Sequence, residues 1–133
     1  MATIKRFEDL EIWIEARRLF KEIIIISKNS DLKNDFKLNA QIKSASGSVM
    51  DNIAEGFERN GNREFIQFLS IAKGSAGETR SQIYRLFDND YINENKMNTL
   101  VNDYEKLSIK IHNFICYLNK KEFKGTKFIT NNG

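Results

Sequence analysis

A chain of 133 residues with 41% apolar and 29% charged residues has the makeup of one globular domain in water, which excludes a disordered or fibrous polymer. Of its 21 basic and 18 acidic residues, four and one fall within 120–133, so the body carries 17 of each and the excess positive charge lies entirely in the C-terminal tail. A single cysteine, Cys116, excludes an internal disulfide, and the Ile23–Ile26 run is far too short for a membrane span or a secretory leader, so a cytoplasmic protein with no membrane partner is expected.

No proline interrupts the chain, and apolar spacing marks four long helices. The first is expected over 9–28, capped by Asp9, with Leu10, Trp13, Ile14, Arg17, Phe20 and Ile24 following the helical period. Asn29, Ser30 and Asp31 supply a turn. The second covers 35–58, with Leu38, Ile42, Ala45, Val49 and Ile53 on one face, and Asn60-Gly61-Asn62 ends it. The third covers 63–87, where Phe65, Leu69, Ala72, Ala76, Thr79, Ile83 and Leu86 repeat, and Asp88-Asn89-Asp90 stops it. The fourth, 94–119, starts after a capping Asn93 and carries Met97, Leu100, Tyr104, Leu107, Ile111, Phe114 and Leu118 in heptad register. Residues 120–133 form a basic tail that frays after Phe123. Helices of this length joined by short turns predict an all-α, antiparallel, up-down-up-down four-helix bundle spanning 1–119.

Four groups of residues stand out from that frame. Ser44-Ala45-Ser46-Gly47-Ser48 and Gly74-Ser75-Ala76-Gly77 are equidistant from Gly61, so they face each other at mid-height in an antiparallel hairpin. Glycine costs about 1 kcal/mol in a helix interior, so three glycines there point to close backbone packing, or to a shallow groove for a partner. The second group is apolar surface in excess of one bundle's need. Ile23, Ile25 and Ile26 spread around the first helix, Phe68 and Ile71 lie off the third helix's seam, and Ile109 and Ile115, with Cys116, lie off the fourth. These are the candidate oligomer interface. The third group is charge sorted by bundle end. Lys5, Arg6, Arg59, Arg63, Lys120, Lys121, Lys124 and Lys127 gather at the end holding the second connection and both termini, a candidate phosphate-binding surface. Ordinary solvated helix ends and a solubilising tail would leave the same pattern.

The fourth group, Asn52, Glu55, Glu64 and Glu78, lies near the packing faces of the second and third helices, where hydrogen bonding explains it better than a metal centre. Bundle metal sites pair Glu-x-x-His motifs. The single histidine, His112, has only Cys116 four residues on, half of a metal site at best. No nucleophile–base pair, glycine-rich phosphate loop or zinc spacing is present. A non-enzyme without metal or other cofactor is expected.

Several segments also resemble one family. Phe7-Glu8-Asp9-Leu10-Glu11-Ile12-Trp13 resembles the Phe-x-x-Leu-x-x-Trp opening of proteins encoded in intervening sequences of bacterial 23S ribosomal RNA genes. Asn52-Ile53-Ala54-Glu55-Gly56-Phe57 is similar to that family's central segment. Glu64-Phe65-Ile66-Gln67-Phe68-Leu69-Ser70-Ile71-Ala72, then Gly74-Ser75 and Glu78, resemble its third-helix signature. The resemblance implies a left-handed four-helix bundle assembled as a homopentamer. It also implies kinship with accessory variability proteins of diversity-generating retroelements, which bind nucleic acid and a reverse transcriptase. It brings no catalytic residues. Where the family often has a run rich in Arg and Lys, Glu58-Arg59-Asn60-Gly61-Asn62-Arg63 keeps two bases, which shifts nucleic-acid binding toward the tail. The expected function is a pentameric scaffold binding RNA, DNA or a ribonucleoprotein through its basic end. The alternative is a protein–protein adaptor ring with no nucleic-acid role.

Overall fold

The computed structural model describes residues 3–121. A 3₁₀ turn, Phe7–Asp9, leads into α1, Glu11–Asn29; a second, Asp31–Asn34, leads into α2, Phe36–Glu58; α3 is Asn62–Asp88 and α4 is Glu94–Asn119. No strand is present among the described residues.

The caps explain most of the boundaries. The Ser30 side chain accepts from the Leu32 backbone N–H, Asp35 from that of Leu38, and Asn93 from that of Lys96, each satisfying a donor that a helix start leaves unpaired. Gly61 has φ 101°, a left-handed value that suits glycine, and it separates α2 from α3. Asp9 does not cap α1. It belongs to the 3₁₀ turn, and Leu10 holds the cap position without a side-chain bond.

Cross-helix pairs fix the direction of each helix. Glu11–Lys110, Arg18–Asp103 and Glu22–Lys96 descend α4 as they ascend α1. Ser48–Ser75 and Gln41–Arg85 relate α2 to α3 in the same way. α1 therefore runs antiparallel to α4, and α2 to α3.

Tyr104, Phe57, Phe65 and Leu19 are among the largest fully buried side chains of the core. The faces expected of α2 and α3 are buried throughout, and on α4 only Phe114 is half-buried. For α1 the expected face holds only at Leu10, which is buried, and is otherwise overturned. Its buried residues are Ile12, Ala16, Leu19, Ile23, Ile26 and Ser27, whereas Ile14 is 52% exposed, Arg17 is exposed, and Trp13, Phe20 and Ile24 are half-buried. Apolar residues occupy most of this helix's circumference, so their spacing fits two faces. The flanking polar groups choose between them. Glu11 and Glu22 reach Lys110 and Lys96 of α4, each at 2.6 Å, while the Ser27 hydroxyl bonds Asn39 of α2 at 2.7 Å. Those flanks leave the Ile12–Ile26 stripe facing inward.

Candidate functional site

The α1 result corrects the proposed interface. Ile23 and Ile26 are 0% and 7% exposed within the chain's own core, so no other molecule can cover them. Phe68 and Ile115 are half-buried, Phe68 beside Gly56 and Ile115 against the core. Ile25, Ile71 and Ile109 remain at 52%, 51% and 54% exposure, and Ile14 joins them on α1.

The end that gathers the cations is built from the 3₁₀ turn, the α2–α3 connection and the last turn of α4. The Asn62 side-chain amide donates to the carbonyls of Leu118 and Lys121, both at 2.8 Å, tying the connection to the end of α4. Phe57, Phe65, Phe114 and Tyr117 stack edge to face or tilted beneath it. Several of its cations are already engaged. Arg6 pairs with Glu8 at 3.1 Å, and the Glu8 carboxyl is held below its ordinary range by its own backbone N–H and then by that guanidinium. Arg59 bonds Glu55 at 3.0 Å, lies 3.9 Å from Glu64, and covers the Phe68 ring. Lys121 sits over the Tyr117 ring. Lys5, Arg63 and Lys120 are exposed, while Lys124 and Lys127 lie outside the described residues. Glu8, Asp9, Glu55, Glu58 and Glu64 share this end with Lys5, Arg6, Arg59, Arg63, Lys120 and Lys121, so its charges nearly cancel.

The two small-residue patches do meet. Ser48 and Ser75 share a hydrogen bond of 2.9 Å, Asn52 donates to the Ser48 carbonyl and hydroxyl at 2.8 Å each, and Thr79 donates to the Ser75 carbonyl. A shallow groove of about 360 Å³ lies there, lined by Ala40, Gln41, Ser44, Ala45, Ser48, Ser75 and Glu78. The glycines are not what brings the helices together. A Cβ on Gly74 or Gly77 would meet nothing within 4 Å, and one on Gly47 would meet Phe20 of α1 at an ordinary 3.6 Å.

Close approach occurs instead at Gly56. A Cβ there would lie 2.7 Å from the Phe68 Cβ and 3.0 Å from Phe65 Cδ1. That role was missed because Gly56 stands near the end of α2, outside the mid-height patches.

A second groove, of about 370 Å³, opens between α3 and α4 and is lined by Lys73, Arg80, Glu105, Ser108, Ile109 and His112. Lys73 makes no ion pair among the described residues, and Arg80 meets Glu105 only at 3.8 Å. Sequence reasoning missed this pair of bases; their spacing of seven, which puts them on one helix face, was the available signal. The His112 ring nitrogen and the Cys116 sulfur are 3.5 Å apart. Among the described residues no three His, Cys, Asp or Glu side chains gather as metal ligands would, and no helix is long and apolar enough to cross a membrane.

The sequence model of the 23S rRNA-intervening sequence proteins matches residues 8–113. The chain belongs to this family. A solved structure of a protein of unknown function from the S23 ribosomal protein family of Bacteroides thetaiotaomicron is similar to it, with a TM-score of 0.70 and 23% identity over 78% of this chain and 97% of that one. At that identity the likeness shows the fold alone. A comparison with curated proteins finds no match. The segments that resemble the 23S rRNA-intervening sequence proteins occupy packing positions here. Phe7 and Trp13 make an edge contact at 5.1 Å, while Gly56 and Phe57 meet Phe65 and Phe68 of α3 across the hairpin.

Proposed function

We propose that this 23S rRNA-intervening sequence protein is a non-catalytic, cytoplasmic, homo-oligomeric scaffold that binds RNA or DNA. The observation that carries the reading is the apolar surface left after the home core is complete. Ile14, Ile25, Ile71 and Ile109, on three of the four helices, are each about half exposed, and leaving such side chains in water forgoes roughly 1 kcal/mol or more apiece relative to burial. Copies of the chain cover Ile14, Ile25 and Ile71 for one another, and a pentamer is the assembly that the family resemblance implies. The nucleic-acid half of the reading rests on the family's connection with ribosomal RNA genes and on the basic tail.

Light scattering or sedimentation, with and without a 23S-type RNA fragment, tests the assembly. The wild-type protein is expected to be a closed oligomer, and Ile25→Glu together with Ile71→Glu to dissociate it while helicity is retained. A wild-type monomer refutes the scaffold. The near balance of charge at the cation-bearing end, where Arg6 and Arg59 are ion-paired, favours a second reading, an adaptor ring for a protein partner. Its affinity would change little with salt, whereas nucleic-acid affinity falls steeply.

A further inference from the structure

We infer that the groove between α3 and α4 binds phosphate, as a phosphodiester of bound nucleic acid or as free phosphate, between Lys73 and Arg80. In its nucleic-acid form this rests on the function proposed above, and it moves the contact from the bundle's end to its flank.

Three observations converge on that groove. The first is unspent donor capacity. The Arg80 Nε is buried with no hydrogen-bond partner among the described residues. Its Nη2 stands 3.8 Å from the Glu105 carboxylate, beyond hydrogen-bond reach. A guanidinium presents five donors in a planar fork suited to phosphate oxygens, and a buried donor without an acceptor costs about 1–3 kcal/mol. Glu105 is 55% exposed at its side chain and free to turn toward solvent when an anion enters.

The second observation is the arrangement of cations. Lys73 and Arg80 lie on one face of α3, seven residues or about 10 Å apart, roughly the rise of three stacked nucleotides of one strand. On the α4 wall, Ser108 is 8% exposed and His112 is exposed, adding a hydroxyl and a ring nitrogen to the lining. The bases at the bundle's end are arranged differently, since Arg6 and Arg59 already have carboxylate partners.

The third is Gly77, four residues after Lys73 and three before Arg80, hence between them on the helix surface. It gives up about 1 kcal/mol of helix propensity relative to alanine, yet a Cβ there would meet nothing within 4 Å. Packing inside the chain does not account for it. An open helix surface between two cations lets a phosphate approach both.

Fluorescence anisotropy with a labelled single-stranded RNA, and side-chain NMR with inorganic phosphate, test the site on the full chain. Lys73→Gln with Arg80→Gln should weaken RNA binding about tenfold or more and flatten the log–log salt dependence by about 0.7, one phosphate's worth for a single strand. Gly77→Leu leaves both cations in place and fills the gap, and it should weaken binding comparably. Gly74→Leu, which does not lie between the two cations, should bind as the wild type does, and Lys120→Gln with Lys121→Gln should weaken binding less than the groove variants do. Should the end variant lose binding while the groove variants keep it, the flank site is overturned and nucleic-acid binding stands. Should RNA fail to bind while inorganic phosphate shifts the Arg80 and His112 signals, the site stands with free phosphate as its ligand and the nucleic-acid reading falls. If neither binds, both are overturned.

Discussion

Replacing Gly56 with alanine tests the packing of α2 against α3 at its tightest point. The new Cβ would stand 2.7 Å from the Phe68 Cβ and 3.0 Å from Phe65 Cδ1, against an optimum of about 3.5–4.0 Å for carbon pairs. Neither neighbour can simply step aside. The Phe68 Cβ is fixed to the α3 backbone, and Phe65 is fully buried, so relief requires the two helices to part by something near 1 Å. Overpacking costs about 1–3 kcal/mol, and a contact this short with a carbon fixed to the backbone puts it at about 2–3 kcal/mol. The gain in helix propensity returns up to about 1 kcal/mol of it, leaving a net loss of about 1–2 kcal/mol. For a domain of this size that is roughly 4–10 °C in Tm. Urea and thermal unfolding followed by circular dichroism would measure it, with Gly74→Ala as the reference substitution, expected to stabilise by a few tenths to about 1 kcal/mol because a Cβ there meets nothing. A Gly56→Ala protein as stable as the wild type would show that the helices are not held this closely.

Other substitutions bear on the polar groups of the bundle. The Tyr104 hydroxyl is buried without a hydrogen-bond partner among the described residues, so Tyr104→Phe should be neutral or stabilise by up to about 2 kcal/mol, read from the urea midpoint. Burial pushes the Tyr104 phenol well above its ordinary range, with Arg18 acting weakly in the opposite sense. The folded state therefore holds that proton more tightly than the unfolded chain, and stability should fall as pH rises through about 10 and beyond, where the unfolded phenol ionises. A Tyr104→Phe variant should lose that part of the alkaline decline, and an unchanged alkaline limb would contradict the assignment. Asp35 caps α2 with one oxygen and accepts the Tyr91 hydroxyl at 2.8 Å with the other, so Asp35→Ala should cost about 1–2 kcal/mol, mostly as a lost cap. Tyr91→Phe keeps that cap and should cost less, a ranking that thermal melts check.

Much of the bundle was legible in the sequence because α2, α3 and α4 each carry one apolar stripe with polar residues around it. The repeat Phe65, Leu69, Ala72, Ala76, Thr79, Ile83 and Leu86 leaves a single way to face the core, and all seven are buried. In α1 the same logic failed, since Ile12, Trp13, Ile14, Phe20 and Ile23–Ile26 surround the helix and periodicity fits either face. Partners on other helices decided it, Lys96 and Lys110 of α4 and Asn39 of α2, and one sequence does not show such pairing directly. The candidate sites were less legible still. Counting cations at one end omitted the interleaved acids Glu8, Glu55 and Glu64, which a tally restricted to bases does not weigh. The pair Lys73 and Arg80 escaped notice because their spacing is ordinary on a solvated helix; only the open groove and the unpartnered Arg80 Nε set them apart.

The side-chain amide of Asn62 has a consequence for whatever follows residue 121. By holding the Leu118 and Lys121 carbonyls, it pins the departure point of the last twelve residues beside the α2–α3 corner. Were subunits arranged about a rotation axis, every α4 end would stand on the same rim of the particle, with Lys120 and Lys121 among the residues it carries there.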